Sequence, residues 1–523
     1  MTFVPGALDE PVRSRRNHWN NQIATHAQMR PDAVAMRFRG QGTTWKQFHD
    51  RSLRFADALA RRGVGFGDRV LILALNYPEY LEAVLGINAL GAIAVPVNFR
   101  LTPPEVAYIV ADSGATAIVT DTLLQPLALG VAAQAPGLDT CVVIGGSTGE
   151  GVLGFEDVLA EGGETHTPRD IPEDTPALIM YTSGTTGSPK GAILTHANLS
   201  AQALTCIRAM DLTPETVGFC TSPLFHIAGL GSLVPYFLLG GMFVLHPLGA
   251  FDATEFLDAV EAEQATAAFC VPAQWQLICE EPTVKQRKLA LRMLCWGAAP
   301  ASDSVLKAMA DCFPEAQNVA VFGQTEMSPI TCVLEGKDAL RKLGSVGRVI
   351  PTVAARVVDD EMNDVAPGEI GEIVYRGPTL MRGYWNKPEA TAEAFAGGWF
   401  HSGDLVQQDE EGFVWVVDRK KDMIISGGEN IYCAEVENVL FAHPKIHEAA
   451  VIGRADEKWG EVPVAVVALV DPAETLTRAE LEPFLNERLA RFKHPKDLVI
   501  VPELPRNASG KVVKVELRKD YSS

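Results

Sequence analysis

The residues best equipped for chemistry lie in one run, Tyr181-Thr182-Ser183-Gly184-Thr185-Thr186-Gly187-Ser188-Pro189-Lys190-Gly191. Glycine frees the main chain to curl until successive N–H groups converge on an anion, which makes a nest for phosphate. Thr182, Ser183, Thr185 and Thr186 add hydroxyl donors, and Lys190 adds an ammonium. A hydroxyl such as that of Thr185 can also ligate a magnesium ion carried on the phosphates. The spacing disfavours the commoner P-loop, in which lysine directly follows the second glycine and a serine or threonine comes next. Here Ser188 and Pro189 separate Gly187 from Lys190, and glycine follows the lysine.

Such a loop needs a rigid base. The apolar run Ala177-Leu178-Ile179-Met180 reads as a buried strand that delivers the loop to one end of a sheet. Upstream, helix and strand signals alternate. Thr44-Trp45-Lys46-Gln47 is a capping box that opens a helix to about Arg62. Residues 70–75 read as a strand, 79–89 as a helix, 92–95 as a strand, Thr102-Pro103-Pro104-Glu105 as a second capping box and 117–119 as a strand. This rhythm predicts α/β layers around a largely parallel sheet. After about Gly344 the pieces become short and β-rich, as in residues 355–358 and 372–375, which predicts a barrel-like or antiparallel subdomain to about Val417. Asp418-Arg419-Lys420-Lys421-Asp422 is a charged connector, and the residues beyond it suffice for a small α+β domain. The expected division is therefore 1–420, a large N-terminal domain, and 421–523, a small C-terminal one.

Bulk composition narrows the partners. The chain of 523 residues is longer than one hydrophobic core normally serves. Its 45 basic and 65 acidic residues leave a net charge of −20, so nothing draws it to nucleic acid, and polyphosphate must be met by local nests, a few placed cations and a metal. Nine cysteines without ligand spacing read as small buried hydrophobes in a reducing compartment, and no apolar leader follows Met1, so a cytoplasmic protein is expected. Residues 219–251 carry no Asp, Glu, Lys or Arg, but prolines and the Gly240-Gly241 pair break them. They predict a buried helix, a strand over 242–245 and the wall of an apolar pocket rather than a membrane span. Gly229 and Gly231 are expected to open space there. Peripheral contact with lipid and homo-oligomerisation stay open at this level.

Further stretches follow in order. They are Gly297-Ala298-Ala299-Pro300 after an apolar strand, Phe322-Gly323-Gln324-Thr325-Glu326, Ser402-Gly403-Asp404, Asp418-Arg419 and Ser509-Gly510-Lys511. Together with the loop at 181–191 this ordered set resembles the adenylate-forming superfamily of acyl-CoA synthetases, peptide-synthetase adenylation domains and beetle luciferases. The resemblance implies that loop 181–191 holds the β- and γ-phosphates of ATP and that the turn at 297–300 holds adenine. Thr325 is then a donor to the α-phosphate, Glu326 a ligand for Mg²⁺, and Asp404 with Arg419 the contact to ribose. Phe322 stands where tyrosine is commoner, so a phenol hydroxyl is missing there. Lys421 falls at the family's hinge, and Lys511 corresponds to the lysine that catalyses adenylation. His226, in Pro223-Leu224-Phe225-His226, corresponds to a histidine bordering the acyl carboxylate.

The resemblance further implies a two-step reaction, in which a carboxylate becomes acyl-AMP with release of pyrophosphate and the acyl group then passes to a thiol. The mobile C-terminal domain would present Lys511 for the first step and the glycine-rich Ser426-Gly427-Gly428-Glu429-Asn430 for the second. Candidate contacts for coenzyme A are Arg100, Trp459, Gly428, Lys493, His494 and Lys496. The charge-free runs 219–251 and 264–279 offer no partner for a charged group on the acid. A medium- to long-chain fatty acid is therefore expected, and similarity is greatest to bacterial fatty-acid–CoA ligases of the mycobacterial type. An aryl acid, a carrier-protein thiol as acceptor, and a non-enzymatic acyl or nucleotide sensor are the alternatives.

Overall fold

A computed structural model describes residues 16–146, 149, 151–163, 170–182, 189–299, 301–427, 429–506 and 512–521. The chain divides into two compact units, 1–354 with 376–395, and 355–375 with 396–523.

The first unit contains the α/β layers that the alternating pattern predicts. Both capping boxes form. Thr44 Oγ1 accepts from Gln47 N at 3.2 Å while Gln47 Oε1 accepts from Thr44 N at 2.9 Å, and helix Trp45–Arg61 follows. At the second, Glu105 Oε2 accepts from both Thr102 N and Thr102 Oγ1 at 2.7 Å ahead of helix Pro103–Ser113. One sheet of eight strands runs in the order 383–384, 190–195, 176–182, 93–96, 69–73, 117–121, 140–144 and 153–154. Its central pairs are parallel, as continuous apolar runs buried on both faces require. The exceptions are the pairs made by strand Lys190–Thr195, which is antiparallel to both of its neighbours. That reversal sets Thr182 and Lys190 side by side at the sheet end.

A second set of strands in this unit runs 347–349, 330–334, 317–323, 293–297, 267–270, 218–220, 243–245, 34–38 and 41–44. The charge-free stretch supplies strand Gly218–Cys220, helix Ile227–Leu239 and strand Phe243–Leu245. Gly240 closes the helix in the left-handed region at φ 69°, where a side chain would be strained. No helix among the described residues is long and apolar enough to cross a membrane.

In the second unit, strands at 354–358, 370–376, 400–408 and 413–419 form an antiparallel ladder, and a five-stranded sheet follows with helices 433–441, 478–486 and 514–521. The expected joint at Lys421 lies inside this unit. Asp418 shows why the β-rich strands keep company with the C-terminal residues. It is 6% exposed, it ends strand Phe413–Arg419, and its carboxylate accepts from Ala434 N at the start of the next helix. The nine cysteines are free thiols, seven of them buried, and burial pushes that of Cys220 up to about 11.

Where the first unit's helices meet, two imidazoles are enclosed together. His18 is 4% and His196 1% exposed, with ring centroids 4.6 Å apart. Burial holds the His18 ring down to about 4 against the opposing pull of Glu173, and holds His196 well below its ordinary range. The unfolded chain takes up these protons near pH 6.5, whereas the folded chain resists them, so their contribution is full above that pH and is lost as pH falls. Thermal stability should decline between pH 7 and pH 5. The decline should be shallower in His196→Phe, measured by melting temperature in a pH series.

Candidate active site

The loop's stems are pinned from several directions. Thr182 pairs with Lys190 across the ladder, and its hydroxyl donates to the Lys190 carbonyl at 3.4 Å. Tyr181 Oη donates to Asp112 Oδ2 at 2.7 Å, and Tyr108 Oη donates to the Pro189 carbonyl at 3.2 Å. Lys387 Nζ completes the Asp112 cluster at 2.9 Å. Burial and the Asp112 carboxylate together push the Tyr181 phenol well above its ordinary range, so it stays a donor. Gly191 has no room for a side chain, since a Cβ would fall 2.6 Å from Ile179 Cγ2. Ser183, Gly184, Thr185, Thr186 and Gly187, with Pro300, Gly428 and Lys511, lie outside the described residues.

Beside the stems stands a carboxylate. Phe322 and Gly323 end strand Gln317–Gly323, and Gln324 leads into a short turn of 3₁₀-helix, Thr325–Met327. A Cβ on Gly323 would lie 1.9 Å from the Pro329 carbonyl, so the residue is glycine for close packing. Glu326 is 8% exposed, and its Oε1 accepts from Tyr384 Oη at 3.0 Å. Among the described residues no cation pairs with it, nor do three or more His, Cys, Asp or Glu gather as a closed metal site. A buried carboxylate satisfied by one phenol is strongly disfavoured in isolation. It suits a hard cation that brings its own phosphate and water oxygens, as Mg²⁺ on a nucleotide does. Lys190 Nζ lies 5.2 Å from the centroid of the same Tyr384 ring.

Gly297 ends strand Met293–Gly297, where a Cβ would strike the Val321 carbonyl at 2.2 Å. Ala298 sits at φ 65°, and both Ala298 and Ala299 are exposed, leaving a surface of bare backbone and methyl groups. A flat ring fits against such a surface without displacing any side chain.

In the second unit, Asp404 and Arg419 face each other in antiparallel register, with Arg419 Nε 2.8 Å from Asp404 Oδ1. Asp404 is only 2% exposed. The turn before it is held by Glu372, which accepts from Gly403 N at 3.0 Å and Lys420 Nζ at 3.1 Å and meets His401 Nδ1 at 3.1 Å. Burial alone would raise the Glu372 carboxyl; these partners outweigh it and hold the carboxyl below the ordinary range.

The histidine segment is anchored by a residue that spacing does not reveal. Asn76, 2% exposed, donates to the Ser222 carbonyl at 3.0 Å and accepts from Leu224 N at 2.9 Å. His226 then caps helix Ile227–Leu239 from an extended conformation, half-buried against Phe225. The expectation that Gly229 and Gly231 open space is corrected. A Cβ at 229 would lie 2.2 Å from the Pro223 carbonyl, and one at 231 would lie 3.3 Å from both Ile227 and Pro329. Glycine there lets the helix start fold tightly onto the preceding turn.

Of the coenzyme A candidates, Arg100 belongs to the first unit and Trp459, Lys493, His494 and Lys496 to the second. Trp459 is 43% exposed and lies on the Gly427 backbone with Lys458 Nζ 4.7 Å from its ring. Lys493 is committed to Glu435 at 2.6 Å, and His494, 6% exposed, meets the Leu489 carbonyl at 3.1 Å. Lys496 is exposed, and Arg100 lies 5.3 Å from the Phe99 ring. Sequence reasoning missed Asn76, Asp112, Glu372 and Tyr384, whose partners are distant in the chain.

Comparison with known proteins shows the family. Residues 23–385 match the AMP-binding enzyme family, and residues 435–511 match the AMP-binding enzyme C-terminal domain. The chain is similar to a feruloyl-CoA synthase of Amycolatopsis, 40% identical over 95% of this chain and 97% of the relative. It is 35% identical to a long-chain-fatty-acid–CoA ligase of Mycobacterium tuberculosis, over 92% and 93% of the two chains. Among solved structures, the o-succinylbenzoate coenzyme A synthetase of Bacillus subtilis in complex with ATP and magnesium ion superposes with a TM-score of 0.85 at 31% identity, covering 95% of this chain and 99% of that one.

Two substitutions probe the anchoring of the histidine segment. Asn76→Leu leaves the buried Leu224 N–H unpaired and should destabilise the fold by about 1–3 kcal/mol. Gly229→Ala forces a contact with backbone and should cost about as much, by roughly 1–3 kcal/mol of overpacking. Urea unfolding of each variant measures both.

Proposed function

The chain belongs to the AMP-binding enzymes, and from that premise we propose that it is an ATP-dependent acid–CoA ligase that works through an acyl-adenylate. The observation that carries the reading is the placement of Glu326 and Lys190 about one phenol ring, one prepared for a cation and the other for an anion. In the first step a carboxylate oxygen attacks the α-phosphorus of ATP, the bond to the β-phosphate oxygen breaks, and pyrophosphate leaves. In the second a thiol sulfur attacks the acyl carbon, its proton is lost, and the bond to AMP breaks.

The first step assembles anions, so catalysis is mainly charge compensation and alignment. Glu326 would hold Mg²⁺, which when bound would supply positive charge to the phosphates. Thr182 and Lys190 at the stems, with the hydroxyls of Ser183, Thr185 and Thr186, bind phosphate oxygens; Thr325 donates to the α-phosphate. Gly297, Ala298, Ala299 and Pro300 receive adenine, and Asp404 accepts from the ribose hydroxyls with Arg419 beside it. Lys511 bridges acyl and phosphate oxygens, His226 borders the carboxylate, and Gly428 with Trp459 lies on the thiol's path. Residues 421–523 pivot at Lys421 between the two steps, a rigid-body exchange of one functional face for another.

The acid is apolar. An aryl acid is the favoured class, because the relative at 40% identity is a feruloyl-CoA synthase whereas the fatty-acid ligase stands at 35%. A medium- to long-chain fatty acid, expected from the charge-free stretch, is the second reading. Helix Ile227–Leu239, buried along most of its length, supports either acid.

Pyrophosphate release with ferulate, benzoate, hexanoate and palmitate, each with coenzyme A, decides the class. The aryl reading predicts a kcat/KM at least about tenfold higher for the best aryl acid, the discrimination that one to two kcal/mol provides. A palmitate optimum would return the assignment to fatty acids. Lys511→Ala should abolish adenylate formation while sparing thiol attack on supplied acyl-adenylate, and Gly428→Leu should do the reverse. Equal loss of both steps in both variants would remove the two-face mechanism.

A further inference from the structure

Tyr384 stands in none of the stretches whose residue types suggest chemistry, yet both charged groups of the phosphate side meet on it. Its hydroxyl donates to Glu326 Oε1 at 3.0 Å, and the ammonium of Lys190 lies 5.2 Å from its ring centroid. We infer that Tyr384 is a positioning residue for adenylate formation, holding the Glu326 carboxylate in its metal-binding pose with the hydroxyl and seating Lys190 with the ring face. The inference rests on the proposed role of Glu326.

The backbone around Tyr384 is fixed from three sides. Strand Gly383–Tyr384 pairs antiparallel with strand Lys190–Thr195, placing Tyr384 opposite Ala192, two residues along from Lys190. Tyr384 N donates to Thr391 Oγ1 at 2.9 Å. Met381 N donates to the Glu326 carbonyl at 2.8 Å, which ties the segment to the carboxylate's own turn. The ring is therefore a spacer set between two chain segments and rigid with respect to both.

The two contacts differ in kind. A phenol gives the carboxylate one hydrogen bond without neutralising it, so the remaining oxygen lone pairs keep their charge for a cation. A phenol is a neutral donor near pH 7, so it gives its proton to the hydrogen bond without adding charge. The ring face attracts Lys190 through its quadrupole, again without neutralising it. Among the described residues Lys190 forms no ion pair. A carboxylate in place of Tyr384 would neutralise Lys190 and repel Glu326. A phenol keeps the cation site and the anion site apart, each oriented and each still charged.

Equilibrium binding of ATP, measured by calorimetry with Mg²⁺ and again with EDTA, tests the assignment without turnover. The wild-type chain should bind ATP more tightly with Mg²⁺. Tyr384→Phe keeps the ring and should leave affinity in EDTA and melting temperature near wild type while reducing the Mg²⁺ enhancement at least about fivefold, as expected for one lost hydrogen bond to a charged group. Tyr384→Leu removes the seat for Lys190 as well and should also weaken binding in EDTA. In turnover, Tyr384→Phe should raise the KM for ATP and leave that for the acid unchanged. Glu326→Gln is the reference. If it retains the Mg²⁺ enhancement, the role of Glu326 fails. If it loses the enhancement while Tyr384→Phe binds like wild type under both conditions, Tyr384 is not the positioning residue.

Discussion

A carboxylate buried to 8% exposure and satisfied by a phenol instead of a cation is the constraint on which the arrangement of Glu326, Tyr384 and Lys190 depends. Removing an ionised group from water is expensive unless a counter-charge replaces the lost solvation. Asp112, whose side chain is similarly buried, finds Lys387. Glu326 does not, among the described residues. Its turn is braced by the Met381 amide and its side chain by Tyr384, so the fold supplies orientation and withholds neutralisation. Such a group is suited to a ligand that brings its own cation.

The same economy explains the glycines. At Gly191, Gly297, Gly323 and Gly229 a side chain would collide with a neighbouring strand, carbonyl or turn. These positions bring functional segments hard against the scaffold, which narrows the conformations open to the groups beside them. Flexibility is not what glycine contributes there; close approach is. The Asp112 cluster plays a matching role for the loop's stems by tying Tyr181, Trp385 and Lys387 to one helix end.

In the second unit a different acid does structural work. Glu372 collects the Gly403 amide, His401 and Lys420, which fixes the turn that presents Asp404 beside Arg419. Here the carboxylate is fully engaged and held low by its partners. Two buried glutamates thus serve opposite ends: Glu372 is committed to the scaffold, and Glu326 is kept available. Residue type and burial alone do not separate them. Only their partners do.

The amino-acid sequence by itself determined the alternating α/β layers, both capping boxes, the buried character of 219–251 and the ordered motifs that mark the family. These are local properties: a cap, a period and a motif each lie within a few residues, so their physics can be read along the chain. The sequence also suggested an opening at Gly229 where packing closes it, because the Pro223 carbonyl that fills the space is brought there by a turn. Tertiary structure decided which residues hold the site. Asn76 grips Leu224 from 148 positions away, Tyr384 reaches Glu326 across 58, and Lys387 reaches Asp112 across 275. Such contacts leave no periodic trace, since each joins residues brought together only by the order of strands in a sheet. The pairing of strand 190–195 with strand 383–384 sets Lys190 over a phenol, and that pairing exists nowhere in the linear chain.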